Sequence, residues 1–296
     1  MLNPFDLQHR QLLSGIQGNI LKSHGRHHTA NVFIRCNDGQ QPSAKAWLKS
    51  LVEGDDAIVQ SGYTQLRTNV LWKEEGVDTG LFACIHISAA GYDYLFGPNT
   101  SSRFTDSAFQ NGMKQAPLND PAPATWDSGL AEDNHFMLLL AHTKPEELEK
   151  SIHDVAHATQ FFAEITAIEK GDALFNHEKA GIEHFGYVDG ISQPLFFEDE
   201  WTFYKTNHNI QTDADIRFDP RADLDLVLTE DPLFPGDSNA RGSYFVFRKL
   251  EQNVRGFKQA EIALATTLGL QDEDKERAGA MLVGRFEDGT PVEVSD

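Results

Sequence analysis

The chain has 296 residues, with 25 Lys and Arg against 45 Asp and Glu, a formal charge of -20 and 40% hydrophobic residues. That length buries a substantial core and accommodates two ordinary domains or one large one. The acidic far field repels phosphate backbones and anionic lipid, which argues against nucleic-acid and membrane-surface partners. The start, Met1-Leu-Asn-Pro-Phe-Asp, has neither a basic-then-apolar leader nor a twin-arginine pair, and the longest strongly apolar run, Phe136 to Ala141, is far short of the ~20 residues that span a bilayer. A cytoplasmic protein is the expectation. Cys36 and Cys84 both sit in apolar, strand-like runs and read as buried thiols in a reducing compartment.

In chain order, residues from Ala30 to Cys36 carry the β-branched and apolar clustering of a core strand. Ser43 then reads as the N-cap of a helix carrying Ala46, Trp47 and Val52. A second strand is expected from Leu81 to Ile87, ending in Ser88, a cap for a short helix through Tyr92 and Leu95. Gly97 to Gly129, rich in Ser, Asn, Asp and Pro, reads as surface loop. A third strand is expected from His135 to Ala141. Thr143 and Glu146 form a Thr-x-x-Glu capping box with Pro145 in the first turn, opening a helix whose apolar face holds Leu148, Ile152 and Val155. A fourth strand is expected from Phe162 to Ile168. Strand, helix, strand, strand, helix, strand is the ferredoxin-like α+β order.

Beyond Phe185 the pattern partly restarts: a Gly-rich turn, an acidic stretch from Asp213 to Asp225, a strand from Ser243 to Leu250 and a helix from about Phe257 to Leu268. The domain expectation is therefore 1–185, a ferredoxin-like domain, and 186–296, a partial second one. A single strand lacks neighbours for its edge hydrogen bonds. Ser243 to Leu250 must therefore find pairing in the first domain, in another chain or in further sequence.

The densest segment is His184-Phe-Gly-Tyr-Val-Asp-Gly-Ile-Ser-Gln-Pro194. Gly186 and Gly190 bracket a short carboxylate, Asp189. Glycines there permit positive φ or close approach of backbone to a flat ligand, although Asp-Gly is also a common turn dipeptide. Gly186-x-x-Asp189-Gly190 followed by Ile191-Ser192-Gln193-Pro194 resembles the signature of the dye-decolourising haem peroxidases. Three further stretches resemble the family in the same order: Ser14-Gly-Ile-Gln-Gly-Asn-Ile-Leu21 with His24-Gly25-Arg26, Gly242-Ser-Tyr-Phe-Val-Phe-Arg-Lys-Leu250, and Met281-Leu-Val-Gly-Arg-Phe-Glu-Asp-Gly-Thr-Pro291.

The resemblance implies a ferredoxin-like duplication, haem b as cofactor, hydrogen peroxide and a bulky aromatic reductant as substrates, and Asp189 as distal acid and base. It implies cofactor contacts from Gly186, Gly190 and Ile191, with Arg248 as a candidate partner for a haem propionate. In the family the Gly-x-Pro element precedes the proximal histidine and the distal arginine. Here Pro291 stands five residues before the last, Asp296, so neither residue is assigned. The expectation is a second half that is incomplete in this chain.

Other candidates carry weaker patterns. His153 and His157 share a helix face at i, i+4, but a metal site needs three or four ligands. His24, His27 and His28 read as solvated surface. His184 lies on the same loop as the distal acid and is poorly placed for the opposite haem face. Arg285 has the same two readings as Arg248, a propionate contact or a charge pair. Tyr187, Trp201, Tyr204 and Tyr244 are possible hole carriers, or core filling. Three rival readings of the chain remain: a non-catalytic interaction subunit, a pocket completed by a second chain or by a homo-oligomer, and a porphyrin-handling protein.

Overall fold

The computed structural model describes residues 1–190, 193–216 and 219–294. It divides the chain into two compact units, Met1–Asp172 with Leu195–Val246, and Ala173–Pro194 with Phe247–Asp296.

The first unit is built on four antiparallel strands, β1 (His28–Cys36), β2 (Phe82–Ile87), β3 (Phe136–His142) and β4 (Ala163–Asp172), in the order β2-β3-β1-β4. This is the expected ferredoxin-like sheet. A bulge between Phe33 and Ile34 shifts the β1–β4 register. Ala30, Val32, Ile34 and Cys36 alternate onto one face with Phe136, Leu138 and Leu140. Helix α1 (Leu7–Gly15) precedes the sheet, and α2 (Gln41–Val52) covers its core face with Ala44, Trp47 and Leu51. Trp47 packs tilted on Phe136 and Phe162, with ring centroids 6.1 and 5.9 Å apart.

The apolar stripe of α2 differs from the expectation: Ala46 and Val52 are exposed. Pro42 lies in the first turn, so the helix starts earlier and Gln40 takes the cap position. Ser43 falls inside the helix and bonds the Gln40 side chain at 3.1 Å.

Helix α3 (Gly62–Glu75) follows, then β2 and α4 (Ala89–Phe96). Ser88 caps α4 as expected, accepting from the Gly91 N–H at 2.9 Å. The 97–129 insertion contains the short helix α5 (Ser107–Asn111) among turns. Helix α6 (Pro145–Thr159) buries Leu148, Ile152 and Val155 against the sheet, as expected. Its capping box does not form. Lys144 is the N-cap, and the Thr143 hydroxyl bonds the Asp78 carboxylate at 3.0 Å.

All seven residues of β3 are buried, so it carries side chains packed on both faces of the sheet. On the second face, Phe82 stacks on His24 at 5.3 Å and His86 packs on Phe245 at 4.2 Å. His24 is thus not solvated surface. Burial and the neighbouring Arg26 push its pKa down to about 4. The 14–26 motif is structural. Gln17 bonds both the N–H and the C=O of Ile85 at 2.8 and 2.9 Å, and the buried Gln65 of α3 accepts from the Asn19 N–H at 2.8 Å and donates to the Lys22 and Ser23 carbonyls. Cys36 and Cys84 are buried free thiols, each pushed up to about 12 by burial. A smaller cluster packs Leu2, Leu13 and Ile16 with Phe196, Phe197 and Leu228 beside α7 (Glu198–Asn207).

The second unit holds a two-stranded hairpin, β5 (Leu174–Phe175) with β6 (Gly181–Ile182). In the first unit β7 (Thr229–Glu230) pairs with β8 (Arg241–Gly242). The second unit then continues through α8 (Val254–Leu268) and α9 (Glu276–Val283). The strand expected from Ser243 to Leu250 does not form a ladder. Its β-rich pattern supplies propensity but not burial, and Tyr244, Phe245, Val246 and Leu250 are 41–64% exposed. Among the described residues no helix is long and apolar enough to cross a membrane.

Candidate functional site

The Asp189 loop grows out of the β5–β6 hairpin. Ile182 bridges Val188 antiparallel, and the Asp189 N–H donates to the Gly181 carbonyl at 3.0 Å. Inside this narrow loop the Glu183 carboxylate acts as a local template. It accepts from the Phe185 N–H at 2.8 Å, the Tyr187 N–H at 3.0 Å and the Gln252 side-chain amide at 2.9 Å. Burial alone raises its pKa, but the backbone donors, Gln252 and nearby His184 outweigh that and hold it below the ordinary carboxylate value.

Gly186 and Gly190 take φ of +102° and +78°, the left-handed region in which a side chain is strained. A Cβ on Gly186 would meet no atom within 4 Å, so its role is the turn and not close packing. Asp189 itself is exposed. Its carboxylate accepts from the Gly190 N–H, which donates to Oδ1 at 2.7 Å.

The structure brings Gly186, Asp189 and Gly190 together on one braced turn. Ile191 lies outside the described residues. Arg248 is exposed on the extended run leading into α8, and Gln252, a little further along that run, reaches Glu183. His184 is exposed on the loop itself. Arg285 donates to the Gly289 carbonyl at 2.8 Å, closing the turn of the Gly-Arg-Phe element. His153 and His157 both face solvent, and no cluster of three or more His, Cys, Asp or Glu that could hold a metal ion occurs among the described residues. Of the aromatic candidates, Tyr187 is buried, Trp201 and Tyr204 stack at 5.7 Å with the Arg221 guanidinium 4.7 Å over the indole, and Tyr244 packs on Phe109 at 5.5 Å.

Sequence reasoning missed the groups that brace the loop: Glu183, Gln252, Glu261, Lys258 and Glu287. Glu183 carried one local signal, a carboxylate just before a Gly-containing turn. The others are dispersed along the chain and meet only through the fold.

An accessible carboxylate stands on a hydrogen-bonded turn between two positive-φ glycines. Fold and site together define a ferredoxin-like α+β protein presenting an acid on a rigid loop.

No family model matches the chain. The multifunctional dye peroxidase DyP2 of an Amycolatopsis species is 37% identical over 95% of this chain and 58% of its own length. The crystal structure of a DyP-type peroxidase from an Anabaena species superposes with a TM-score of 0.87 at 35% identity, over 97% of this chain and 60% of that one. A dye-decolourising peroxidase whose haem pocket was engineered for asymmetric sulfoxidation shares the fold, with a TM-score of 0.67 at 21% identity over 94% of this chain and 57% of that one. Over nearly its whole length the chain is similar to dye-decolourising peroxidases. It spans somewhat under two thirds of the length of the relatives it matches.

Proposed function

We propose that this chain supplies the proton-handling side of a haem peroxidase pocket, in which hydrogen peroxide is reduced and a bulky aromatic or dye-like molecule is oxidised. The observation that carries the proposal is the exposed Asp189 carboxyl, held on a hydrogen-bonded turn between two positive-φ glycines.

Haem b, when bound, supplies the iron at which the O–O bond of peroxide is cleaved. The chain's own part is proton transfer. Asp189 Oδ2 takes a proton from peroxide and returns it to the outer oxygen, which then leaves as water. Oδ1 stays tied to the Gly190 N–H, so the carboxyl keeps one orientation through both transfers. Gly186 and Gly190 would border the cofactor without side-chain bulk between it and the acid, and the resemblance adds Ile191 as a cofactor contact. Arg248 would meet a propionate through its planar fork of donors. The iron ligand and the arginine that orients peroxide in the family are assigned to no residue here.

The same reading divides the chain at 185/186 into two halves of a ferredoxin-like duplication and places the protein in the cytoplasm. The four-stranded sheet, complete by Asp172, supports a ferredoxin-like first half, whereas the compact units divide at Asp172/Ala173 and Pro194/Leu195; two buried free thiols and the net negative charge support the cytoplasmic reading.

The test is stopped-flow mixing of the haem-loaded chain with hydrogen peroxide, for the parent and Asp189→Asn. Asparagine preserves shape but carries no exchangeable acid proton. The expected result is at least a hundredfold slower peroxide reaction in the variant, with the haem absorption spectrum unchanged before mixing. Equal rates would remove Asp189 from the reaction.

A further inference from the structure

The two residues before Asp189 are each tied to another part of their unit, Tyr187 to a glutamate on α8 and Val188 to the backbone of Glu287, and one lysine pairs with the side chains of both glutamates. Tyr187, 6% exposed, donates its hydroxyl to the Glu261 carboxylate on α8. The Val188 N–H donates to the Glu287 carbonyl at 2.9 Å. Lys258, one turn before Glu261, pairs with Glu261 at 3.0 Å and with the Glu287 carboxylate at 2.5 Å, and its ammonium lies 5.2 Å from the centre of the Tyr187 ring. The Glu287 N–H in turn donates to Glu276 on α9 at 2.9 Å.

The packing around these ties has no slack. A Cβ on Gly279, within α9, would fall 1.9 Å from the Glu261 carboxylate oxygen and 2.1 Å from the Tyr187 hydroxyl. A glycine is disfavoured inside a helix, and here it makes room for the Tyr187–Glu261 pair. A buried tyrosine hydroxyl needs some acceptor, but not one that shares its lysine with the strut beside it.

We propose that Lys258 is a positioning residue for Asp189: through Glu261 and Glu287 it fixes Tyr187 and Val188, and so sets the turn that presents the Asp189 carboxyl. The proposal rests on the reading of Asp189 as the acid. Without the ammonium, Glu261 and Glu287 lose their shared counter-charge, and like charges this close repel. The two struts then separate and the turn between them loosens. Burial and then the Glu261 carboxylate raise the Tyr187 pKa, so the hydroxyl stays protonated and able to donate.

The test uses the full chain with Lys258→Met, Lys258→Arg and Tyr187→Phe. The first removes the charge, the second keeps it, and the third deletes a single hydroxyl from a side chain of the same shape. In the haem-free chain, amide hydrogen exchange at Val188 and Asp189 is expected to quicken at least tenfold in Lys258→Met and in Tyr187→Phe, with β1 and β3 unchanged. Lys258→Arg should restore exchange to within threefold of the parent. In the loaded protein, Lys258→Met should lower the peroxide-limited kcat at least tenfold while KM for the dye stays within twofold. Parental exchange at Val188 and Asp189 in both Lys258→Met and Tyr187→Phe would overturn the positioning role and leave the Asp189 reading standing. Raised exchange together with full peroxide turnover in Asp189→Asn would overturn that reading instead.

Discussion

Replacing Glu183 by alanine removes the template on which the Asp189 loop is wound. Its carboxylate takes two backbone N–H groups, at 2.8 and 3.0 Å, and the Gln252 amide at 2.9 Å. A hydrogen bond to a charged acceptor contributes ~1.5–3 kcal/mol when buried, so summing three would give well over 4 kcal/mol. Glu183 is only half-buried, and water replaces part of what is lost, which brings the expected cost of Glu183→Ala to about 2 kcal/mol of local stability. That corresponds to roughly a 30-fold larger open population of the loop. Chymotrypsin cleavage after Phe185 or Tyr187, followed by mass spectrometry, reads this population directly when opening is fast relative to cutting. Glu183→Gln retains one accepting oxygen and should give about half the effect in free energy. The dependence on pH has a defined sign. The folded-state pKa lies below the ordinary carboxylate value of about 4.5, so the contribution is complete above about 4.5 and is lost as pH falls below it through the folded value. Amide exchange at Phe185 and Tyr187 in the parent, relative to the intrinsic rate, should therefore quicken on acidification in that window, while Glu183→Ala shows no such step. Cleavage of Glu183→Ala within twofold of the parent at neutral pH would refute the reasoning.

Other perturbations give equally definite expectations. Leu138→Ala opens a cavity at a fully buried position of β3 and should cost about 3 kcal/mol in urea unfolding. Gln65→Leu leaves the Asn19 N–H and the Lys22 and Ser23 carbonyls without their partner inside the first unit. It should cost ~2–3 kcal/mol, visible as a lower unfolding midpoint. Burial above all pushes the His24 and His86 pKa values down to about 4, from the ordinary histidine value of about 6.5. The unfolded chain therefore binds more protons between these values, and stability is complete above about 6.5 and falls as pH drops toward 4. Unfolding midpoints measured across that range should decline, and the double variant His24→Gln, His86→Gln should flatten the decline.

What was legible in the sequence follows the range of the forces involved. The four strands were found to within a few residues because β-branched and apolar runs at period two encode burial locally, and the α6 stripe of Leu148, Ile152 and Val155 was found for the same reason at helical period. Two of three cap assignments failed. Ser43 and Thr143 are good caps in isolation, but the early prolines shift both helix starts, and Thr143 instead reaches Asp78 from another part of the chain. Helix α3 escaped notice because it buries only Gly62 and Gln65 and exposes Val70, Leu71 and Trp72, so its pattern has no apolar stripe. At the site, Asp189 and its glycines were legible because the turn they make is local. Glu261, Lys258 and Glu287 were not. Each is an ordinary surface-type residue in sequence, and only tertiary packing gathers them behind Tyr187.

The central claim is that this chain contributes the acid of a haem peroxidase pocket. Titration of the purified chain with hemin, followed at the Soret band and then by peroxide-dependent bleaching of an anthraquinone dye, tests it most directly when Asp189→Asn is run alongside. Saturable, one-to-one binding with dye turnover that collapses only in the Asp189 variant is the predicted result. A weak, unsaturable hemin spectrum, or turnover that is identical in the two proteins, would contradict it.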